Sequence, residues 1–98
     1  MKTVRILRRA QTDLEEIKRY IERDSPRRAE KFVSKLLDRI ESLSTLPNAG
    51  ILPRDETLRA RGFLILIERQ YLVFYKVLSK QVRVYRVLHG RRRYQHLL

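Results

Sequence analysis

Residues 62–88 read GFLILIERQYLVFYKVLSKQVRVYRVL and have a clear pattern of β-strands. It contains three apolar runs rich in β-branched and aromatic residues, at 62–68, 71–78 and 82–88. The connections around Arg69-Gln70 and Ser79-Lys80 leave room only for tight turns. The stretch therefore predicts a three-stranded antiparallel meander.

The residues before the meander have the periodicity of helices. A first helix is predicted by one apolar stripe, which consists of Ala10, Leu14, Ile17 and Ile21. The spacing between these residues is four, three and four positions, as on one face of a helix. Ser25-Pro26 supplies an N-cap and a first-turn proline for a second helix. That helix has a wide apolar face and ends near Ser44, before Pro47.

Two further segments complete the expected order of elements. Residues 3–7 are rich in β-branched side chains and predict a short strand, whereas residues 45–60 carry two prolines and a glycine and predict a surface connection. The order is β-α-α-β-β-β. We therefore expect one α+β domain over residues 1–98, with a short N-terminal strand and a helical hairpin packed on a small antiparallel sheet that ends in the meander.

Charge is the main compositional signal. The 98 residues carry a formal net charge of +12, with seventeen arginines among the 23 basic side chains. From Arg69 to Leu98 there are eight basic side chains and no Asp or Glu. A concentration of arginine favours phosphate or carboxylate partners, so the second half of the chain is expected to meet a polyanion or an acidic protein.

Several classes of chemistry lack the residues they need. The chain has no cysteine, and its two histidines have no metal-ligand spacing. A serine triad, paired catalytic carboxylates and a phosphate-binding glycine loop are also missing. We therefore expect no metal and no cofactor. The sequence has no signal-peptide pattern and no long apolar run, which predicts a cytoplasmic protein without a membrane span.

The end of the last strand carries the candidate catalytic groups. They are Arg86, His89, Arg91 and Tyr94. His89 and Tyr94 can transfer protons and the arginines can stabilise negative charge, so the set could cleave RNA through the RNA's own 2′-hydroxyl without a metal.

Arg86 allows two interpretations. Alternation along the last strand places it in an apolar row, whose members are Val82, Val84 and Leu88. Because an unpaired charge is costly there, Arg86 either pairs with a helix carboxylate or forms the floor of a phosphate site.

The chain also resembles the RelE/ParE toxin superfamily over nearly its whole length. The motifs that carry the resemblance are Ala10-x-x-Asp13-Leu14-x-x-Ile17-x-x-Tyr20-Ile21, Ser25-Pro26-x-x-Ala29-x-x-Phe32, Leu46-Pro47-x-x-Gly50, Tyr71-Leu72-Val73-Phe74-Tyr75 and Arg86-Val87-Leu88-His89-Gly90-Arg91-Arg92. The resemblance implies the toxin of a type II toxin–antitoxin pair, neutralised by an acidic cognate antitoxin and able to reach operator DNA through the antitoxin complex.

The resemblance also implies two contact surfaces. The antitoxin is expected on an apolar row formed by Leu14, Ile17, Ile21, Phe32 and Leu36. The target or a nucleic acid is expected on the arginines Arg61, Arg83, Arg91, Arg92 and Arg93.

The superfamily contains two classes of target, and the sequence favours one of them. RelE-like members cut messenger RNA on the ribosome, whereas ParE-like members inhibit DNA gyrase. The strand position at which RelE-like nucleases place an arginine is Leu72, and two positions that are often basic are Leu64 and Ile65. The gyrase inhibitor is therefore the leading hypothesis. The ribosome-dependent endoribonuclease is the alternative, and a non-toxic nucleic-acid-binding module is the third.

Overall fold

A four-stranded sheet lies against a helical hairpin in the computed structural model, which describes residues 1–98. The elements in chain order are β1 (Thr3–Ile6), α1 (Arg8–Glu22), α2 (Pro26–Glu41), α3 (Glu56–Ala60), β2 (Phe63–Glu68), β3 (Tyr71–Val77) and β4 (Gln81–His89), with single 3-10 turns at Ser42–Ser44 and Gln95–Leu97. The expected α+β class and the helical hairpin are confirmed. No helix has the length and apolar composition that crossing a membrane requires.

The strand order in the sheet is β1-β4-β3-β2. Strands β2, β3 and β4 form the predicted antiparallel meander. Strand β1 joins β4 in parallel, so the sheet is mixed rather than wholly antiparallel. Parallel neighbours need a long crossover, and here the helical hairpin and the rest of the meander provide it.

The hairpin forms where the sequence predicts it. The Ser25 hydroxyl accepts a hydrogen bond from the Arg28 backbone N–H at 3.2 Å, and Pro26 occupies the first helical position. Helix α1 begins at Arg8, without a side-chain cap. Thr12 lies inside α1, and its hydroxyl donates to the Arg8 carbonyl oxygen at 3.2 Å.

The connection at residues 45–60 is more ordered than predicted. Ile51 forms an isolated antiparallel bridge with Ile65 of β2. Asp55 caps the five-residue helix α3 by accepting from the Leu58 N–H at 2.9 Å, and Leu58 is buried. A helix of about 1.4 turns is too short for an apolar stripe to repeat, which is why the pattern of residues 45–60 indicated only a loop.

The sheet separates two apolar cores. The face that packs against α1 and α2 is called the front face, and the opposite one the back face. The front core joins the hairpin to residues such as Val73, Val84 and Val87. The smaller back core is covered at one end by α3 and the C-terminal residues, and consists of Leu58, Phe63, Ile65, Phe74 and Leu88.

A β-bulge changes the alternation of β4. The β3–β4 register shifts between Phe74 and Tyr75, which face Arg86 and Val84 respectively, so β4 contains one extra residue at this point. Val84 packs in the front core and Leu88 in the back core. The expectation that Arg86 shares one face with both of them is therefore wrong, because it assumed uninterrupted alternation.

Candidate functional site

Arg86 is held by a carboxylate of the first helix. Its Nε and Nη2 atoms donate to the two Asp13 carboxylate oxygens at 2.8 and 2.9 Å, and both side chains are buried. Asp13 Oδ2 also accepts from the Val87 backbone N–H at 2.9 Å. Strand β1 ends at Ile6, opposite Val84, so the carboxylate binds the Val87 N–H beyond the point where β4 has β1 as its partner.

The pairing of Arg86 with a helix carboxylate is thus confirmed. The hydrogen bonds to Asp13 raise the pKa of Arg86, burial acts in the opposite direction, and the charges of Asp13 and Glu16 raise it further. A third donor, Nη1, points to the Leu97 carbonyl oxygen at 3.3 Å. Because the guanidinium is neutralised and only 6% of the residue is exposed, it offers little to an incoming phosphate.

The two candidate proton-transfer groups lie on different faces of the sheet. His89 is on the front face, where its ring centre is 5.3 Å from that of Tyr71, and its Nδ1 accepts from the Arg91 backbone N–H at 3.1 Å. Tyr94 is on the back face, with its ring 4.8 Å from that of Phe74. The structure therefore does not bring His89 and Tyr94 together.

The arginine run after β4 is exposed. Arg91, Arg92 and Arg93 follow the strand end, and Arg92 lines a hollow on the front face together with His89. None of the three takes part in an ion pair within the protein. Their charges are free to meet an external anion.

A groove of about 890 Å³ opens on the front face beside these residues. Its apolar and aromatic lining comes from α1, α2 and the adjoining ends of β3 and β4, and consists of Tyr20, Ile21, Phe32, Tyr71 and His89. The Phe32 and Tyr71 rings are 5.5 Å apart. The lining also includes four cations, which are Arg28, Lys31, Lys35 and Arg69.

Part of the expected antitoxin row is packed in the front core. Leu14, Ile17 and Leu36 are buried between the hairpin and the sheet, and their role as antitoxin contacts stays a prediction. Their spacing identified a helix face correctly, but that face is occupied by the protein's own sheet. Ile21 and Phe32, at the open end of the hairpin, do line the groove.

Tyr20 and Tyr71 complete the groove. Both belong to the motifs that carry the family resemblance, but neither was predicted from the sequence as a contact residue. Tyr20 lies off the apolar stripe of α1 and is 65% exposed. Tyr71 is the first residue of β3. Burial raises the pKa of the Tyr71 hydroxyl, and the neighbouring Tyr20 raises it further. A large aromatic side chain as exposed as Tyr20 is typical of a binding surface.

The remaining predicted contact residues, Arg61 and Arg83, lie on the back face. The Arg61 guanidinium carbon is 5.1 Å from the centre of the Phe63 ring, and Nη2 donates to a Leu98 oxygen at 2.6 Å. Arg83 Nε donates to Gln81 Oε1 at 2.6 Å. These two arginines are therefore separate from the groove on the front face.

The three strand positions at which the nuclease pattern is missing are packed in the cores. Ile65 belongs to the back core, and Leu72 packs against it. Leu64 packs against the front core. Each has a structural role in holding the sheet, and none presents a polar group.

Comparison with known proteins gives the family. The family model for the ParE toxin of the type II toxin–antitoxin system parDE matches residues 4–94. This chain therefore belongs to the ParE toxin family of type II toxin–antitoxin systems. Protein Y4kP of Sinorhizobium fredii, whose name presents it as a candidate toxin, is 29% identical over 96 residues, which cover 98% of this chain and 92% of that one.

Two solved structures have the same fold. The chromosomal ParDE toxin–antitoxin system from P. aeruginosa contains a chain that is 24% identical, with a TM-score of 0.74 over 91% of this chain and 96% of that one. The toxin–antitoxin complex RelBE2 from Mycobacterium tuberculosis contains a chain that is 22% identical, with a TM-score of 0.64 over 90% of each.

Proposed function

We propose that this ParE-family toxin inhibits DNA gyrase by binding to it, and that an acidic antitoxin neutralises the toxin at the groove on the front face. Membership of the ParE family supports a type II toxin. The choice of a binding mechanism rests on the arrangement of the candidate catalytic residues.

The observation that carries this choice is the separation of those residues. Acid–base catalysis that uses two proton-transfer groups needs both of them within hydrogen-bond reach of the reacting atoms. His89 and Tyr94 lie on opposite faces of the sheet, and Asp13 neutralises the intervening Arg86. A toxin that works by binding needs no such constellation.

The alternative, a ribosome-dependent endoribonuclease, retains one supporting observation. His89 and Arg92 line the same hollow, and the Arg91 backbone N–H donates to the His89 ring. An imidazole beside exposed arginines can move a proton and stabilise a phosphate. In that mechanism His89 would act as the acid or base with Arg91 and Arg92 on the scissile phosphate, and Tyr94 would have to be dispensable.

Purified components distinguish the two mechanisms. With toxin in stoichiometric excess, we expect gyrase to lose supercoiling activity and to leave broken DNA, while messenger RNA on translating ribosomes stays intact. Supercoiling that continues unimpaired beside cleaved messenger RNA would establish the nuclease instead. The variant His89→Ala serves as the internal control, because only the nuclease requires the imidazole.

Shape and charge support the groove as the antitoxin site. An amphipathic helix or strand can lay aliphatic side chains against Phe32 and Tyr71. Acidic side chains along its flanks would meet Arg28, Lys31 and Lys35. The toxin's net charge of +12 also attracts such an acidic partner at long range and so favours association.

Charge reversal tests this placement. The probe is the small acidic protein expected from the reading frame immediately upstream of the toxin gene. Arg28→Glu with Lys31→Glu should weaken its binding by about 10²-fold, because like charges then face each other across the interface. The matched control is Lys18→Glu with Arg27→Glu, which makes the same change of charge outside the groove. Equal losses in the two variants would exclude the groove as the binding site.

A further inference from the structure

Three cations stand in one row across the back face of the sheet, and a fourth is stacked beside them. The strand register places Arg5 of β1 opposite Arg83 of β4, and Arg83 opposite Lys76 of β3. Lys76 is in turn opposite Phe63 of β2, over which Arg61 is stacked. We call Arg5, Arg83, Lys76 and Arg61 the basic row.

Such a row opposes folding unless something binds it. Like charges directly opposite each other on neighbouring strands destabilise a sheet, and here two such pairs are consecutive. The ion pairs of the protein all involve other cations, namely Arg19, Lys35, Arg39 and Arg86. No ion pair therefore relieves the repulsion among Arg5, Arg83 and Lys76, whereas Arg61 donates to a Leu98 oxygen at 2.6 Å.

Aromatic rings hold two members of the row in place without neutralising them. Lys76 Nζ is 4.6 Å from the centre of the Phe63 ring and 5.1 Å from that of Tyr85. The Arg61 guanidinium lies 5.1 Å from the Phe63 centre. A cation over a ring keeps its full charge, so the row presents a preorganised line of positive charge.

We propose that the basic row binds the sugar-phosphate backbone of duplex DNA, so that the toxin contacts the DNA held by gyrase as well as the enzyme. Adjacent strands are about 4.8 Å apart, so Arg5 and Lys76 are separated by roughly 10 Å. One DNA strand advances about 3.4 Å along the axis per phosphate. The row therefore spans about three successive phosphates. The role at gyrase rests on the proposed function, whereas the DNA contact itself does not.

The covered rings favour a duplex over single-stranded RNA. Proteins that bind single strands usually stack the bases on open aromatic faces. Here Phe63 is only 1% exposed, with Arg61 and Lys76 over its ring and the Tyr85 ring against its edge at 5.2 Å. No base can stack on it, and what remains accessible is charge, which recognises phosphates.

The salt dependence of DNA binding tests the row. A labelled 20-base-pair duplex is titrated with the toxin, and fluorescence anisotropy gives the affinity at 50 and 200 mM salt. Three phosphate contacts predict a slope of about −2.7 in log K against log salt, which is a loss of roughly 40-fold over this range. Arg5→Gln with Arg83→Gln should reduce the slope to about −0.9 and the loss to roughly threefold.

A charge-matched control separates the row from general basicity. Lys18→Gln with Arg27→Gln removes the same two charges from the outer side of the hairpin and should keep the wild-type slope. The variant of the row should also keep or raise the thermal midpoint, because it removes a repulsive cross-strand pair. Equal slopes for the two double variants would overturn the proposal, as would tighter binding of a 20-nucleotide single-stranded RNA than of the duplex.

The outcome is independent of the proposed target. If the toxin leaves gyrase active but the row variant still loses DNA affinity, the gyrase assignment fails and the DNA contact stands. If gyrase is inhibited equally by the wild type and the row variant, and DNA affinity is also unchanged, the target assignment stands and the basic row is not a binding surface.

Discussion

Replacing Asp13 by asparagine should destabilise this protein more than any other substitution of a single acidic residue. Asp13 accepts three hydrogen bonds, two from the Arg86 guanidinium and one from the Val87 backbone N–H, at 2.8 to 2.9 Å. The Asp13→Asn variant keeps an oxygen for one of these donors. It loses the negative charge that balances Arg86, which is only 6% exposed.

The size of the effect follows from this burial. Leaving one partner of a buried ion pair without its counter-charge costs about 3–5 kcal/mol. Because the amide retains one hydrogen bond, we expect about 3 kcal/mol for Asp13→Asn. A domain of this size has a free energy of unfolding of roughly 5–15 kcal/mol, so the thermal midpoint should fall by roughly 12–24 °C.

Urea unfolding, followed by circular dichroism, measures this cost. Arg86→Gln should cost a similar amount, since it leaves the Asp13 carboxylate buried with one backbone donor. The double variant should cost much less than the sum of the two, with a coupling of about 2–3 kcal/mol. The control is Glu16→Gln, an exposed carboxylate on the same helix, which should change stability by less than about 0.5 kcal/mol.

One result would refute the argument. If Asp13→Asn costs no more than Glu16→Gln, the buried pair does not join the hairpin to the sheet, and Arg86 is free for another role. A strictly additive double variant would lead to the same conclusion.

Three further predictions concern a glycine, a tyrosine and the two candidate proton-transfer residues. Gly50→Ala should cost about 1–3 kcal/mol in urea unfolding, because its Cβ would lie 2.7 Å from the Ile65 carbonyl oxygen, and an unchanged midpoint would contradict this. Burial raises the pKa of the Tyr71 hydroxyl above the unfolded value of about 10, so the neutral hydroxyl favours the folded state. This contribution to the free energy of unfolding is complete below about pH 10 and is lost as the pH rises through the folded pKa. Tyr71→Phe should make the alkaline loss in a pH series of melts shallower, and an identical slope would exclude Tyr71 as its source. His89→Ala with Tyr94→Phe should inhibit gyrase within about twofold of wild type, whereas a loss of roughly 10²-fold would indicate proton transfer.

The sequence predicted best the elements that are long enough to repeat their hydrophobic pattern. The strands of the meander show alternation, both long helices show an apolar stripe, and Ser25-Pro26 marks the start of α2. The parallel pairing of β1 depends on where the chain returns after 70 or so intervening residues, which no local pattern contains. The bulge near Arg86 is likewise a property of two strands together.

The candidate site was harder to predict because burial decides which apolar residues remain accessible. The same stripe that correctly defined α1 placed Leu14 and Ile17 in the core and left Ile21 at the groove. Sequence spacing gives the face of a helix but not how far its partner sheet extends beneath it. The basic row shows the same limit, since Arg5 and Lys76 become neighbours of Arg83 only through pairing between distant strands.

Inhibition by binding and inhibition by turnover of a substrate differ in how they depend on the concentration of gyrase. We would therefore measure the toxin concentration needed to halve supercoiling at several gyrase concentrations, all well above the dissociation constant. We expect this concentration to rise in proportion to gyrase, with complete inhibition near a fixed molar ratio and recovery when antitoxin is added. Catalytic inactivation would instead give a half-inhibiting toxin concentration that is far below the gyrase concentration and decreases with incubation time. No inhibition at any molar ratio would exclude gyrase as the target.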